Sequence, residues 1–220
     1  MAPPSGNAPP AAPGETRVTK LHDAVRTAQL RGLNAVRNGA RTGAVVGCSI
    51  VVYEGVYIDP FRQIPMAGEG PTSFSLEFVG IKHVRLVFEK LDGFIANGPV
   101  SLTIKNIFVF DRRLDRRVSL MDIKEGANAE FIRIKIDAPR LEDCTSAIMV
   151  FSGAKLTLVQ SAIHEARRAI NSDDSTLHLE DSAISSTQPD ALVSLSNSSF
   201  EAKKTSFSNG DELGISFRNS

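Results

Sequence analysis

Two short groups of charged side chains recur near the C-terminal end of the sequence. His178 and Asp181 form the first group, and Glu201 and Lys204 repeat the same three-residue step further along the chain. If the two segments stack as neighbouring strands, equivalent residues lie about 4.8 Å apart, and His178 then meets Glu201. Catalytic groups that flank a glycosidic bond stand roughly 5–9.5 Å apart. His178 and Glu201 are therefore the strongest candidates for an acid–base pair, with Asp181 beside them.

Glu130 and Arg133 occupy the same two positions in an earlier segment and are weaker catalytic candidates. Charges of alternating sign along an outward column also describe ordinary solvated residues that pair across strands. We favour that interpretation and assign no catalytic residue. The chain has no phosphate-binding loop, metal-ligand spacing or activated serine, so we expect no cofactor and no metal. It has no Trp and only 2 Tyr, which leaves few platforms for stacking sugars.

A dense charge run spans residues 111–117. Such a run is either solvated surface or a contact for an acidic partner protein, because guanidinium groups bind carboxylates through two hydrogen bonds at once. The candidate binding residues are Arg112, Arg113, Arg116 and Arg117.

The elements that position these side chains come from a repeat. Apolar residues recur at offsets 0, +2, +5 and +7, in seven copies spaced 21 to 27 residues apart, and 23 of these 28 positions are apolar. The copies are Ile50, Val52, Gly55, Tyr57; Leu76, Phe78, Ile81, His83; Leu102, Ile104, Ile107, Val109; Ala129, Phe131, Ile134, Ile136; Leu156, Leu158, Ser161, Ile163; Leu177, Leu179, Ser182, Ile184; and Phe200, Ala202, Thr205, Phe207.

An offset of two residues means alternation along a strand, and the odd step from +2 to +5 means a bend between two strands. A third apolar segment precedes most copies, so each copy forms one coil of three short strands. Leucine-rich repeats share this spacing, but they require Leu at −3 and Asn at +5, which are missing here. The sequence therefore predicts an all-β fold: a right-handed parallel β-helix of about seven coils.

The repeat also predicts the surroundings of several other side chains. His83 falls at an inward position and should be packed and hydrogen-bonded, while His164 and Asp137 should stack on neighbouring coils. Cys48 and Cys144 lie on coils about three spacings apart, roughly 14 Å, which is beyond the reach of a disulfide. We expect both thiols to stay reduced.

The N-terminal part of the chain contains two further elements. Residues 1–17 are rich in Pro and Ala, which predicts a disordered linker, so the domain covers 18–220. The sequence predicts no compartment, and an excised domain of a larger extracytoplasmic protein is one interpretation of such a linker. Leu21, Val25 and Ala28 follow helical spacing. An amphipathic helix at about 19–33 would cover the first coil as a cap.

The runs at 21–28 and 50–57 resemble the opening of pectin-lyase-like proteins. There a helix of the form x-A-I/V-x-x-A precedes a strand that ends in p-G-x-Y, although Glu54 stands here where Pro is expected. The resemblance covers about residues 20–220 and implies the β-helix and its capping helix. It also implies that any polysaccharide chemistry would use outward charged residues of neighbouring coils, which here are those near His178 and Glu201.

Composition narrows the possible partners. Lys+Arg and Asp+Glu are both 25, so we expect no nucleic acid, and no stretch is apolar enough to predict membrane insertion. No capping helix is predicted after the strand at 214–217, so that edge should meet further coils or another subunit. We favour a non-catalytic structural or binding module that presents a strand face to a protein or glycan. The alternative is a polysaccharide-active lyase or glycoside hydrolase.

Overall fold

The computed structural model describes residues 21, 23–28, 30, 46–59, 63–64, 74–89, 94–113, 119–138, 146–186, 191–209 and 214–218. The predicted linker at 1–17 lies outside these residues, as do Arg116, Arg117 and Cys144. The prediction that the two cysteines stay reduced therefore remains a prediction.

Short strands make up most of the described chain and run along three sides of a coil. The first side contains β1 (Val46–Val52), β4 (Phe74–Phe88), β6 (Val100–Asp111), β8 (Asn128–Ile132), β11 (Lys155–Val159), β14 (Thr176–Glu180) and β17 (Ser199–Lys203). The second side contains β2 (Gly55–Ile58), β9 (Lys135–Asp137), β12 (Ala162–His164), β15 (Ala183–Ser186) and β18 (Ser206–Asn209), together with the second halves of β4 and β6. The third side contains β3 (Gln63–Ile64), β5 (Phe94–Asn97), β7 (Met121–Lys124), β10 (Ile148–Phe151), β13 (Ile170–Asp173), β16 (Val193–Ser196) and β19 (Ile215–Arg218).

Strands stack on their counterparts in the next coil, and the pairing on each side is parallel. The first two sides form one 12-stranded sheet because β4 and β6 continue through the bend, and the third side forms a 7-stranded sheet. Parallel neighbours separated by intervening strands of other sides are the signature of a solenoid. The predicted parallel β-solenoid is confirmed. It has about 5 turns, slightly fewer than the seven coils expected, and the first two sequence repeats join it in an irregular register.

The core is a single apolar column that runs through the coils. From the third repeat onward, the apolar positions stack in the predicted register: Leu156 pairs with Leu177, Leu158 with Leu179, and Ile163 with Ile184. None of these side chains is more than 1% exposed. Alternation along each strand puts its apolar residues on one face, and stacking removes that face from water.

The first two repeats depart from the predicted register. In the structure Ile50 pairs with Phe78 rather than Leu76, and Tyr57 pairs with Leu86 rather than His83. The shift of Ile50 is already present before a bulge in β4, where the residues between Val79 and Val84 stand opposite Asn106 alone. These extra residues displace everything after them.

The bulge makes two of the expected inward positions wrong. Ile81 is 40% exposed and His83 is exposed, so neither side chain packs in the core. Val84 and Leu86 take their places and are 0% and 1% exposed. Ile81 and His83 match the spacing of 0, +2, +5 and +7 in the sequence, but the bulge turns both side chains outward.

The bend between the first two sides uses a left-handed residue in successive coils. Asn106, Arg133, Gln160, Asp181 and Lys204 have φ between 48° and 57°. Left-handed backbone costs a residue other than Gly roughly 1–2 kcal/mol, and only Asn and Asp tolerate it readily. Contacts with the stacked neighbouring coils therefore impose this conformation on Arg, Gln and Lys. The resulting bend changes which side chains of the following strand point into the core.

The predicted capping helix is present at the N-terminal end. Residues 21–30 are helical at the described positions, and we name this helix α1. Leu21, Val25 and Ala28 are at most 7% exposed and belong to the core. The thiol of Cys48 on β1 donates a hydrogen bond to the backbone oxygen of Ala28 at 3.6 Å. The helix thus covers the core at the first coil, as its spacing predicted.

Candidate functional site

The predicted catalytic candidates lie on β14 and β17, on the outer face of the first side. His178 pairs with Glu201 in the strand register, and His178 Nδ1 lies 3.1 Å from Glu201 Oε2. The stacking that brings them together was correctly predicted from the repeat. The contact is a direct hydrogen-bonded pair across two coils, on side chains that are 25% and 72% exposed.

Two further charges complete this group and were missed in the sequence. Glu180 Oε2 lies 4.0 Å from His178 Nε2, and Lys203 Nζ lies 3.0 Å from Glu180 Oε1. The hydrogen bond from Lys203 lowers the pKa of Glu180, and the same contact raises the pKa of Lys203. We name His178, Glu180, Glu201 and Lys203 the charge ladder. Opposite charges at the +3 position of two successive repeats were the signal that could have revealed it.

The remaining catalytic candidates stand apart from the ladder. Asp181 and Lys204 occupy the left-handed bend and face each other at 3.9 Å. Glu130 is separated from His178 by Thr157 in the strand register, which corresponds to two coil spacings, about 10 Å. Arg133 is exposed at the bend of that earlier coil. The structure therefore brings together His178 and Glu201, but not Glu130 and Arg133 with them.

A similar charged contact lies at the other end of the same face. Lys105 Nζ on β6 lies 2.6 Å from Glu77 Oε1 on β4. The two strands are adjacent, and Lys105 lies two residues beyond the residue that pairs with Glu77. The hydrogen bond from Lys105 is the main reason that the pKa of Glu77 is lowered from its ordinary value of 4.5. The geometry of both groups is that of ions paired across neighbouring coils, which ties the coils together.

The arginine run divides between a structural residue and a surface residue. Arg113 is 2% exposed, and its Nε and Nη2 donate to the two carboxylate oxygens of Asp111 at 2.9 Å each. Its Nη1 donates to the backbone oxygen of Ser119, six residues later, at 3.2 Å. Arg113 is therefore committed within the fold and offers no surface to a partner. Arg112 is exposed.

The outer face of the second side carries an exposed apolar group that sequence reasoning missed. Val56 and Ile58 on β2 are 61% and 58% exposed, and Phe108 on β6 is 36% exposed. We name Val56, Ile58 and Phe108 the apolar outer surface. The signal was a strand that is apolar on both faces, because Val56 and Ile58 alternate with Gly55 and Tyr57 along residues 55–58.

Basic side chains interrupt the apolar outer surface. The register places Arg85 between Val56 and Phe108 in one column, followed by Lys135. Arg85 is exposed, and its guanidinium carbon lies 5.9 Å from the centre of the Phe110 ring. Apolar and cationic groups thus alternate along this column, a combination that suits a partner with apolar and acidic side chains.

The same outer face changes character in the later coils. The equivalent positions in β12, β15 and β18 are small or polar: Ala162, Ala183, Ser206, His164, Ser185 and Ser208. His164 stacks on Asp137 as predicted, and its Nδ1 lies 2.7 Å from Ser185 Oγ. The apolar outer surface is therefore confined to the first three repeats.

Within the described residues, no three His, Cys, Asp or Glu side chains are grouped so that they could hold a metal ion. None of the described helical residues belongs to a helix long and apolar enough to cross a membrane. Comparison of the chain with protein-family models, curated proteins and solved structures finds no match.

Proposed function

We propose that this chain is a non-catalytic binding module, a rigid β-solenoid that holds a protein partner on the apolar outer surface. The observation that carries the proposal is the exposure of Val56 and Ile58 on β2 and of Phe108 on β6, the two strands on either side of β4 on one face. Soluble proteins rarely expose several large apolar side chains on one face unless the group serves an interaction. A stacked sheet also holds these side chains rigidly, so little conformational freedom is lost on binding.

A protein partner suits this surface better than a glycan. Its exposed groups are aliphatic side chains and Phe, flanked by the cations Arg85 and Lys135, and the chain has no Trp. Glycans bind through stacked aromatic rings and polar side chains, whereas protein interfaces combine an apolar centre with a charged rim. The partner we propose therefore presents apolar residues surrounded by carboxylates.

Photo-crosslinking tests this proposal directly. p-Benzoylphenylalanine placed at Val56 should form adducts with a discrete protein in extracts of the source cells, and the same group at Ala183 should not. Ala183 is the matched control because it faces outward on the same side, in a coil without the apolar group. Arg85→Glu should weaken capture at Val56 by about tenfold, since it reverses a rim charge. Equal adducts at both positions would contradict the proposal.

We also propose that the chain belongs to the pectin-lyase-like superfamily. The parallel solenoid and the position of α1 before β1 support this, together with the sequence at 21–28 and 50–57. An experimental structure whose coils wind with a left hand would contradict it.

The second candidate function is a polysaccharide-active enzyme centred on His178 and Glu201, and the observation in its favour is their 3.1 Å contact. We favour the non-catalytic reading because His178, Glu180, Glu201 and Lys203 are already paired with one another. Pectate, polygalacturonate and similar polymers should yield no unsaturated products or new reducing ends. Turnover by the wild-type chain that His178→Ala and Glu201→Gln both abolish would reverse this choice.

A further inference from the structure

The solenoid leaves its core partly open at the last described coil. Phe200, Phe207 and Ile215 are only half-buried, and Phe217 is 67% exposed. Their counterparts one coil earlier include Leu177 at 0% exposure. We name the side of β17, β18 and β19 that faces away from that coil the terminal face.

The terminal face carries apolar side chains and strand edges together. The rings of Phe200 and Phe217 meet edge to face, with centroids 6.5 Å apart, across the opening of the coil. Ala202 occupies an inward position of β17 and is nevertheless exposed. Within the described residues, β17, β18 and β19 each have a strand neighbour on one side only, so their outer backbone groups remain available for pairing.

We propose that a second copy of this chain covers the terminal face, with the two β17 strands paired antiparallel about a two-fold axis at Ala202. The two-fold axis lies perpendicular to the solenoid and reverses the direction of each strand. It sets β18 of one copy beside β19 of the other, and these strands span four residues each. The apolar groups of both coils then share one core.

The register of the proposed β17 pair follows from the direction in which its side chains face and from their charges. Inward residues must oppose inward residues, so the axis must pass through a residue of β17 rather than between two. Centred on Glu201, the axis would place two like carboxylates opposite each other, which destabilises a strand pair. Centred on Ala202, it places Glu201 of each copy opposite Lys203 of the other. Charge complementarity within this single strand therefore selects both the occupant and the register.

Sedimentation equilibrium of the full chain tests the occupant. At concentrations up to about 1 mM, we expect a monomer–dimer equilibrium. Phe217→Ser should raise the Kd by about tenfold or more, because it removes exposed apolar area from the shared core. Val51→Ser is the matched control, since Val51 is 46% exposed but lies on β1 in the first coil, away from the terminal face. A wild-type chain that stays monomeric, or equal effects of the two substitutions, overturns the proposal.

Charge reversal tests the register independently of the protein partner proposed above. Glu201→Lys and Lys203→Glu should each raise the Kd by about tenfold, because each sets like charges opposite each other at two symmetric positions. The double variant restores opposite charges and should recover the wild-type Kd. Both residues also make ion pairs within the chain. The melting temperature of each monomeric variant is therefore measured, to show how much of the change in Kd comes from altered stability of the monomer. Additive weakening in the double variant overturns the pairing at Ala202.

A disulfide provides a second readout of the same register. Side chains directly opposite in an antiparallel pair have Cβ atoms about 4.5–5.5 Å apart, close enough for a bridge after small adjustments. Ala202→Cys should therefore give a covalent dimer under mild oxidation. Ser206→Cys, which is exposed and outward in the same coil, is the control and should stay monomeric. Equal crosslinking of the two variants would again overturn the proposal.

Discussion

At the scale of single residues, the described chain separates charges that hold the fold from charges that lie on its surface. Asp111 and Arg113 form a pair that is almost fully buried and is hydrogen-bonded at both carboxylate oxygens. Such a pair offsets its own desolvation only when every polar group is satisfied. The charge ladder, by contrast, is held in solvent and contributes little to the free energy of unfolding.

Removing one partner of the buried pair should be costly. We expect Arg113→Met to lower the free energy of unfolding by about 3 kcal/mol, because the Asp111 carboxyl would remain buried without its partner. Asp111→Leu combined with Arg113→Met should cost less than the sum of the single changes. Arg112→Met, on the exposed neighbour, should change stability by less than about 0.5 kcal/mol. Chemical denaturation of the wild type, the three single variants and the double variant measures these effects, and equal effects at 112 and 113 would contradict the assignment.

The Glu77–Lys105 pair predicts a dependence on pH. Because Lys105 lowers the pKa of Glu77, the pair stabilises the fold above the ordinary pKa of a glutamate. This contribution is lost as the pH falls through the lowered native pKa. We expect Lys105→Met to return the pKa of Glu77 toward its ordinary value in an NMR titration, while Lys135→Met leaves it unchanged. The stability difference between Lys105→Met and wild type should vanish at the acid end of the titration.

At the scale of elements, each strand depends on the coils on either side of it. Leu179 of β14 is fully buried between Leu158 and Ala202 of the neighbouring strands. The bends between sides depend on stacking in the same way, because their left-handed residues are mostly types that disfavour this conformation. In the strands, the intrinsic preference of the residues and the stacking of the coils favour the same backbone conformation. In the bends, they favour different conformations.

A charge in the column should disrupt the stack. We expect Leu179→Asp to lower the free energy of unfolding by several kcal/mol, on the order of 3–5, because it buries a carboxylate without a partner. Ala183→Asp introduces the same group on the outward side of the next strand and should cost less than about 1 kcal/mol. Thermal unfolding of the two variants separates inward from outward positions. An unchanged melting temperature for Leu179→Asp would contradict the observed register.

The bends offer a substitution that should stabilise the protein. Gln160 has a φ of 49°, and Gly adopts this conformation without steric cost. We expect Gln160→Gly to raise the free energy of unfolding by about 0.5–1 kcal/mol, because relief of the left-handed strain exceeds the added entropy of the unfolded chain. Gln160→Val should lower it, since branching at Cβ worsens the strain. A loss of stability with Gly would show that side-chain contacts of Gln160 outweigh its backbone strain.

At the scale of the whole molecule, the two ends of the solenoid differ. Helix α1 covers the first coil with buried apolar side chains, whereas the terminal face leaves Phe217 in water. In a solenoid each coil is stabilised only by its neighbours, so a coil with one neighbour is the least stable. In the part of the chain that the structure describes, the coil of β17, β18 and β19 is therefore where opening should begin.

Hydrogen exchange should reveal this gradient. We expect amides of β19 to exchange at least about tenfold faster than those of β10, because among the described strands β19 has one neighbour and β10 has two. Protection in β17 and β19 should increase with protein concentration if two copies meet at the terminal face. Uniform protection from β10 to β19 would contradict the gradient. Protection independent of concentration would count against the dimer.

The amino-acid sequence by itself determined the solenoid, its capping helix and the inward residues from the third repeat onward. Alternation along a strand and a constant coil length are local properties, and they can be read directly from spacing. The same spacing placed His178 opposite Glu201, because stacked repeats need no further information to define their neighbours. Residues at equal offsets in a regular repeat must meet.

The tertiary structure alone decided the rest. The bulge in β4 turned Ile81 and His83 outward, because the coil accommodates the extra residues opposite Asn106 and spacing alone cannot show where they are inserted. Arg113 became buried because the Asp111 carboxylate and the Ser119 backbone oxygen both bind its guanidinium group. The apolar outer surface arose because β2, β4 and β6 stack in a register that the sequence did not specify. Burial and pairing depend on which segments meet, and irregular insertions decide that in three dimensions.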